Sequence, residues 1–330
     1  MFDLTTDLSG ADPPSIFTFD RPWFFAAFDP TGARVLMTDA SQQTFLLDGA
    51  SGAEITPASG ALPSATHPAW APDGSQIALT VGADDAWNPT TGDLAVASVT
   101  GADAFGAVTT LHVGSALASA PEGGALDAYP SYSPDSRVIA FSHGTRTLPT
   151  AGGAASALYA IGSGGGAPVR LDNASAGGAW YPSFTPFVTP ADDGSSVYWL
   201  LHYSPRDYGN ALAGTRGTGR RQIWVSAIRV DASGGVDPSQ VPYWLPGQAV
   251  GEENASAAWA PIPCRPNGSG CAEGDDCCSG FCDMGSGPPE CAPPPESMCR
   301  RAGQTCSSTS DCCEGGDLVC AGGACVVAPI

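Results

Sequence analysis

Lysine is missing from this chain of 330 residues: all 13 basic residues are arginine, and 33 acidic residues set the net charge at -20. A cation deficit on that scale excludes binding driven by neutralising phosphates, and adsorption to anionic membranes. Acidity of this kind keeps a protein in solution. Long apolar runs are missing too; nothing approaches the roughly 20 residues that a membrane-crossing helix needs. The opening "MFDLTTDLSGADPP" has neither the basic n-region nor the apolar h-region of an export signal. Cysteine is absent before position 264, and then twelve appear between Cys264 and the end. Motifs of catalysis are lacking as well: there is no G-x-S-x-G elbow, no H-E-x-x-H, no P-loop and no C-x-x-C-H. "GSGGGAP" from Gly162 lies between two strand-like runs, with no helix N-terminus to hold a phosphate, and reads as a hairpin loop.

What is present begins with glycine (42) and proline (30), which make turns frequent and long helices unfavourable. The cysteine-free part repeats itself. "PWFFAAFDPTGARVLMTD" at Pro22, "HPAWAPDGSQIALT" at His67, "YPSYSPDSRVIAFSHG" at Tyr129 and "YPSFTPFVTPADDGSSVYWLL" at Tyr181 share one plan, and a bare "SAAWAPIP" follows at Ser256. Each has an aromatic, a small residue and proline, a polar turn, and an alternating apolar run. Proline followed by Asp-Gly or Asp-Ser is hairpin punctuation. The runs "ARVLMTD", "SQIALTV", "RVIAFS" and "SSVYWLL" have the β-branched and aromatic content of half-buried strands. Further strand-like runs follow each hairpin: "TFLLDG", "DLAVASV", "ALYAIG" and "QIWVSAI", then "AEIT", "AVTTLHV", "PVRLD" and "VPYWLP".

Four strands per unit predict an all-β fold, a β-propeller over residues 1–262 with about five blades. "MFDLTT…SIFTFD" reads as the outer strands of a blade whose inner strand is "SAAWAPIP", so the fifth blade is expected to be composite and the chain to be incomplete at its N-terminus. The motif P-x-W/Y-S/A-P-D-G/S-x-x-I-A-L/F resembles the TolB-like, WD-type propeller repeat of bacterial envelope proteins, and "HYSPRDYGN…RQIWV" is similar to that family's S-x-R-D-G turn and third strand.

Two small disulfide-rich modules are expected after the propeller, at 263–294 and 295–330. Cys264, Cys271, Cys277, Cys278, Cys282 and Cys291 form one set; Cys299, Cys306, Cys312, Cys313, Cys320 and Cys325 form the other. Both begin C-x6-C-x5-CC. So little apolar mass surrounds them that packing cannot offset chain entropy, whereas short disulfide loops can, at roughly 3 kcal/mol each. Without C-x-x-C pairs or nearby histidines, metal binding is the weaker reading. Spacing alone leaves 15 pairings per module open. The order C…C…CC…C…C resembles the inhibitor cystine knot and the modules of Dickkopf-type secreted proteins. The knot resemblance implies Cys264–Cys278, Cys271–Cys282 and Cys277–Cys291, and in the second module Cys299–Cys313, Cys306–Cys320 and Cys312–Cys325. Such bridges need an oxidising compartment. The whole arrangement resembles secreted proteins of high-GC soil bacteria in which an export signal precedes the propeller, which implies a secreted, cell-surface or periplasmic location.

Three candidate sites stand out. Arg206, Arg216, Arg220 and Arg221 concentrate arginine beside Tyr203 and Tyr208 in one glycine-rich loop; they are either ligand forks or neutralisers of acidic blades. Asp84, Asp85, Asn88 and Asp93 are hard oxygen donors without EF-hand spacing, either a calcium candidate or an ordinary solvated turn. His67, His112, His143 and His202 are spread over the blades, and His67 and His143 fall in corresponding hairpin surroundings, as structural strand-end residues. No catalytic residue and no organic cofactor is implied. The first expectation is a non-catalytic binding scaffold for a protein, glycan or other envelope ligand, with no nucleic acid and no membrane span. A hydrolase or lyase with a loop-built site, and a structural stalk or anchor, are the alternatives.

Overall fold

A computed structural model describes residues 22–148, 155–191, 195–207 and 220–249 apart from 232 and 239, and beyond 250 a broken set that ends at 327. Two compact units divide the chain: 1–189 with 197–258, and 190–196 with 259–330.

The first unit is four successive antiparallel groups of strands, here sheets one to four, of which the second and third join into one nine-stranded sheet where Thr91 and Gly92 pair in parallel with Ala125 and Leu126. Sheet one holds β1 (Trp23–Phe28), β2 (Arg34–Asp39), β3 (Thr44–Asp48) and β4 (Glu54–Ile55) in chain order. Sheet two is β5 (Ala65–Trp70), β6 (Gln76–Val81) and β7 (Thr91–Gly101), with β8 (Ala104–Phe105) and β9 (Thr109–His112) both on β7. Sheet three is β10 (Ala125–Tyr132), β11 (Val138–Gly144), β12 (Ser156–Gly162) and β13 (Gly165–Arg170), followed by a single turn of helix, α1 (Asp172–Ser175). Sheet four contains β14 (Trp180–Phe184), β15 (Thr189–Pro190), β16 (Ser196–Ser204), β17 (Gln222–Val230), β18 (Val236–Asp237) and β19 (Tyr243–Trp244). These are propeller blades, and the predicted runs fall on their strands. Residues 1–21 and most of 256–263, where the segments expected to close a fifth blade fall, lie outside the described residues.

Each first hairpin turns as its residues require. In sheet two, Gly74 at φ +73° donates its N–H to the Ala71 carbonyl at 2.8 Å, while Asp73 accepts from the backbone and hydroxyl of Ser75. Proline at the preceding position presets φ for the turn. Gly32 takes the same left-handed place in sheet one, and in sheet three Ser136 does so at φ +62°.

Alternate residues of the sheets fill three apolar layers, as sheet-on-sheet packing demands. Leu36, Leu46, Ile77 and Leu79 meet between sheets one and two; Leu94, Ile139, Phe141 and Tyr159 meet between two and three. Val138, Leu158, Tyr198, Leu200 and Ile228 meet between three and four. At about 1.5–3 kcal/mol for each large side chain removed from water, these layers are the main stabilisation of the unit.

In the second unit, β20 (Cys282–Asp283) pairs with β21 (Glu290–Cys291), and β22 (Leu318–Ala321) pairs with β23 (Ala324–Val327). Disulfides join Cys271 to Cys282 and Cys277 to Cys291, two of the three bridges that the knot resemblance implies. The third, through Cys264 and Cys278, lies outside the described residues, as do Cys299, Cys306, Cys312 and Cys313. Cys282 faces Cys291 across the first hairpin, and Cys320 faces Cys325 at the same register of the second, so the backbone of the duplicated module repeats.

Candidate functional site

The innermost strand of every blade is broken at one place. Pairing passes from Thr66↔Thr80 to Ala69↔Ala78, from Ala128↔Ser142 to Ser131↔Ala140, and from Trp180↔Tyr203 to Ser183↔Leu201. In each blade two residues therefore face one: His67-Pro68, Tyr129-Pro130 and Tyr181-Pro182 are bulges. Proline costs nothing there, because the ladder bond that it cannot donate is already interrupted. Sheet one has its irregularity between Trp23 and Phe25. The residue ahead of each proline is left-handed, with φ of +50° at His67, +54° at Tyr129 and +58° at Tyr181. Non-glycine residues enter that region at a cost of order 1–3 kcal/mol, and bulges commonly re-aim a side chain.

What is re-aimed is a ring. Phe25 lies 4.3 Å from His67, His67 4.1 Å from Tyr129, and Tyr129 4.3 Å from Tyr181, centroid to centroid. One ring per blade thus builds a continuous aromatic column along the inner strands. Burial holds the His67 imidazole neutral, with its pKa lowered to about 3. Its Nδ1 faces the Thr80 hydroxyl at 3.4 Å, and its Nε2 has no partner among the described residues. One imidazole among three carbocyclic rings is not a metal donor set.

Above the column a cleft of about 600 Å³ is lined by Phe24, Asp85, Trp87, Asn88 and Arg146. Trp87 stacks on Phe25 at 5.7 Å with 16° between the ring planes, yet it remains 49% exposed. Its loop is tied internally: Asp85 Oδ1 accepts the backbone N–H groups of Trp87 and Asn88, and the Thr147 hydroxyl donates to Asn88 Oδ1 at 2.8 Å. Asp84 accepts from the Thr90 hydroxyl and from the N–H groups of Thr90 and Thr91. Partial burial pushes its pKa up, but the bonds from Thr90 and Thr91 outweigh burial and hold the carboxylate at about 2. Asp93 accepts the Gly114 N–H. Asp84, Asp85 Oδ1 and Asp93 are thus each bonded to nearby N–H groups, and Asn88 Oδ1 to a hydroxyl. Among the described residues the grouping of three possible ligand atoms within 4.8 Å is Cys271, Cys277 and Cys291, all of them disulfide sulfurs.

The arginine cluster is likewise engaged. Arg206 donates to the Ser204 hydroxyl and to the carbonyls of Asn173 and Ala174, and its guanidinium lies 5.0 Å from the Trp224 ring centre. Burial lowers its pKa to about 10. Arg221 pairs with Glu253 and lies over Tyr203, and Arg220 donates to the Gly251 carbonyl. Tyr208 and Arg216 lie outside the described residues.

Two features escaped the sequence. His67 does not correspond to His143: its counterparts are Tyr129 and Tyr181, while His143 sits one strand outward, on β11. There Asp127, with no exposed surface, accepts from His112 Nδ1 at 2.6 Å and from His143 Nδ1 at 2.8 Å. A carboxylate only accepts, so both imidazoles carry their proton on Nδ1. The column is the second omission, although its signal is present in the dipeptides His67-Pro68, Tyr129-Pro130 and Tyr181-Pro182.

No protein-family model matches the sequence, and no curated protein matches it. Among solved structures, an apocarotenoid oxygenase mutant of Synechocystis is similar at 13% identity and a TM-score of 0.33, over 67% of this chain and 47% of that one. The β-propeller domain of the Trilobed protease from Pyrococcus furiosus, which has an open velcro topology, is similar at 10% identity and a TM-score of 0.33, over 66% and 56%. A lignostilbene dioxygenase of Pseudomonas brassicacearum reaches 12% and 0.34, over 64% and 46%. The chain spans about half the length of these proteins, and similarity at this level carries no information about activity.

Proposed function

We propose that the chain is a non-catalytic secreted or cell-surface binding protein, whose propeller presents a ligand face and whose disulfide-bonded C-terminal modules resist proteolysis. The observation that supports this best is the Trp87 cleft. A half-exposed indole rests on the partly buried Phe25 ring, and Asp85 and Arg146 line the same cleft. Sites for small ligands combine apolar walls with a few placed polar groups in this way. The repeat motif favours a TolB-like ancestry for the propeller. The bridges Cys271–Cys282 and Cys277–Cys291 favour a cystine-knot or Dickkopf-like tail and an oxidising compartment. No helix among the described residues is long and apolar enough to cross a membrane.

Cosedimentation of the full chain with insoluble envelope material, beside a Trp87→Ala variant, tests the reading. Wild type is retained and the variant is released. Equal behaviour of the two, or no retention of either, overturns it; turnover of a polymer by wild type that Asp85→Asn abolishes replaces it with the enzyme alternative.

A further inference from the structure

We propose that the Trp87 cleft binds a neutral pyranose ring of a glycan; this rests on the binding reading above and names its ligand class. The platform comes first. Phe25 backs one side of the Trp87 indole, and Phe24 leans against it at 5.3 Å and 55°. The ring is fixed from behind and open to solvent over half its surface. An aromatic face carries negative charge density, and the C–H groups on one face of a pyranose carry the complementary positive density. A flat, rigid and solvent-facing indole is the complement of that surface.

The polar groups at the rim match the hydroxyls of such a ring. Asp85 spends Oδ1 on its own turn and leaves Oδ2 without a partner among the described residues. The Arg146 guanidinium and the Trp87 indole N–H have no protein partner there either, although the Arg146 carbonyl is used by Trp180. Asn88 has its carbonyl oxygen fixed by Thr147, which turns its two amide donors away from that bond. The cleft thus offers a strong acceptor beside several donors. A sugar needs that mixture, because each hydroxyl both gives and takes a hydrogen bond.

Charge decides between neutral and acidic glycans. Asp85 and Arg146 cancel, so the rim brings no net cation to pair with a uronate or sulfate. The protein around it carries -20, which opposes the approach of a polyanion. The Asp85 oxygen would be left facing a like charge.

Affinity electrophoresis of the full chain through gels containing soluble β-glucan or galactomannan tests the proposal, with polygalacturonate as the acidic comparison. At least one neutral polymer retards wild type; polygalacturonate does not. Trp87→Ala weakens binding tenfold or more, and Arg146→Ala weakens it threefold to tenfold. Both keep wild-type melting temperatures, since neither side chain is buried. Affinity stays within twofold between 50 and 500 mM NaCl, whereas a charged ligand would weaken steeply. Absence of retardation by every neutral polymer, or a Trp87→Ala variant that binds as wild type, overturns the proposal. The two readings fail separately. If envelope material still retains wild type but not Trp87→Ala after periodate has destroyed its vicinal diols, the ligand is no glycan and the binding face stands.

Discussion

His67 gives a measurable link between the aromatic column and acid stability. In an unfolded chain its imidazole titrates near 6.5; buried between Phe25 and Tyr129 it stays neutral down to about 3. Between these values the unfolded chain takes up a proton that the folded one refuses. Stability is therefore complete above pH 6.5 and falls as pH falls below it, by about 1.4 kcal/mol per unit for each such group. His202 behaves alike: burial, aided by the charge of Arg206, lowers it to about 3. From pH 7.5 to 5.0 the effective interval is about 1.5 units, so the two residues together remove roughly 4 kcal/mol. That is a large share of the 5–15 kcal/mol typical of a domain. His67→Phe installs the ring that sheet one already has at Phe25 and removes one of the two lowered imidazoles. Urea unfolding at both pH values, followed by tryptophan fluorescence without reductant, should show the variant losing about 2 kcal/mol less than wild type on acidification. Carboxylates titrate identically in both proteins and cancel from the difference. An equal loss in the two proteins refutes the placement of His67 as a buried neutral ring.

Three other outcomes follow from the contacts. Reductant should leave the circular dichroism of the propeller unit intact while exposing the tail to protease, because no cysteine precedes Cys264; closed loops with sequence separations of 11 and 14 lose about 3 kcal/mol each. Asp127→Ala should cost about 3 kcal/mol by urea titration, since His112 and His143 both lose their buried hydrogen-bond partner. Arg206→Lys should lower the melting temperature nearly as far as Arg206→Ala, because an ammonium cannot fork between Ser204 and the Asn173 and Ala174 carbonyls.

Strands and turns could be read from the sequence because each is a local pattern. Asp-Gly after proline, and alternation in "SQIALTV", act over a few residues, and the blades formed where those signals stood. The pairing of Cys271–Cys282 and Cys277–Cys291 was legible only through the cystine-knot resemblance, since spacing alone left 15 pairings open. The cleft was not, because its members come from β1, the loop before β7 and the loop after β11, and nothing local ties Phe24 to Trp87 or Arg146. Asp84 and Asp85 have the composition of a cation site, and composition did not show that Thr90, Trp87 and Asn88 already donate hydrogen bonds to them. For Arg206 the partners come from further along the chain: the carbonyls that end α1 lie within its reach, and desolvated carbonyls bind a guanidinium more strongly than solvent does.

The repeated left-handed aromatic joins these observations into one mechanism. In a bulge that takes a left-handed residue, glycine is the residue that avoids the steric penalty. Glycine at His67, Tyr129 or Tyr181 would relieve that strain, and it would also remove the ring. Three blades keep the ring, so whatever the column supplies exceeds a few kcal/mol of backbone cost in total. Packing supplies part of it, since truncating a buried aromatic costs about 3–5 kcal/mol. The column also immobilises Phe25, and Phe25 immobilises Trp87. An indole held in place in advance would lose little rotamer freedom on binding the proposed ligand, which otherwise costs about 0.5–1.5 kcal/mol per side chain. The strain at the axis and the readiness of the platform are therefore two ends of one stack of rings, and substitution of Tyr129 should weaken ligand binding at Trp87 without touching the cleft.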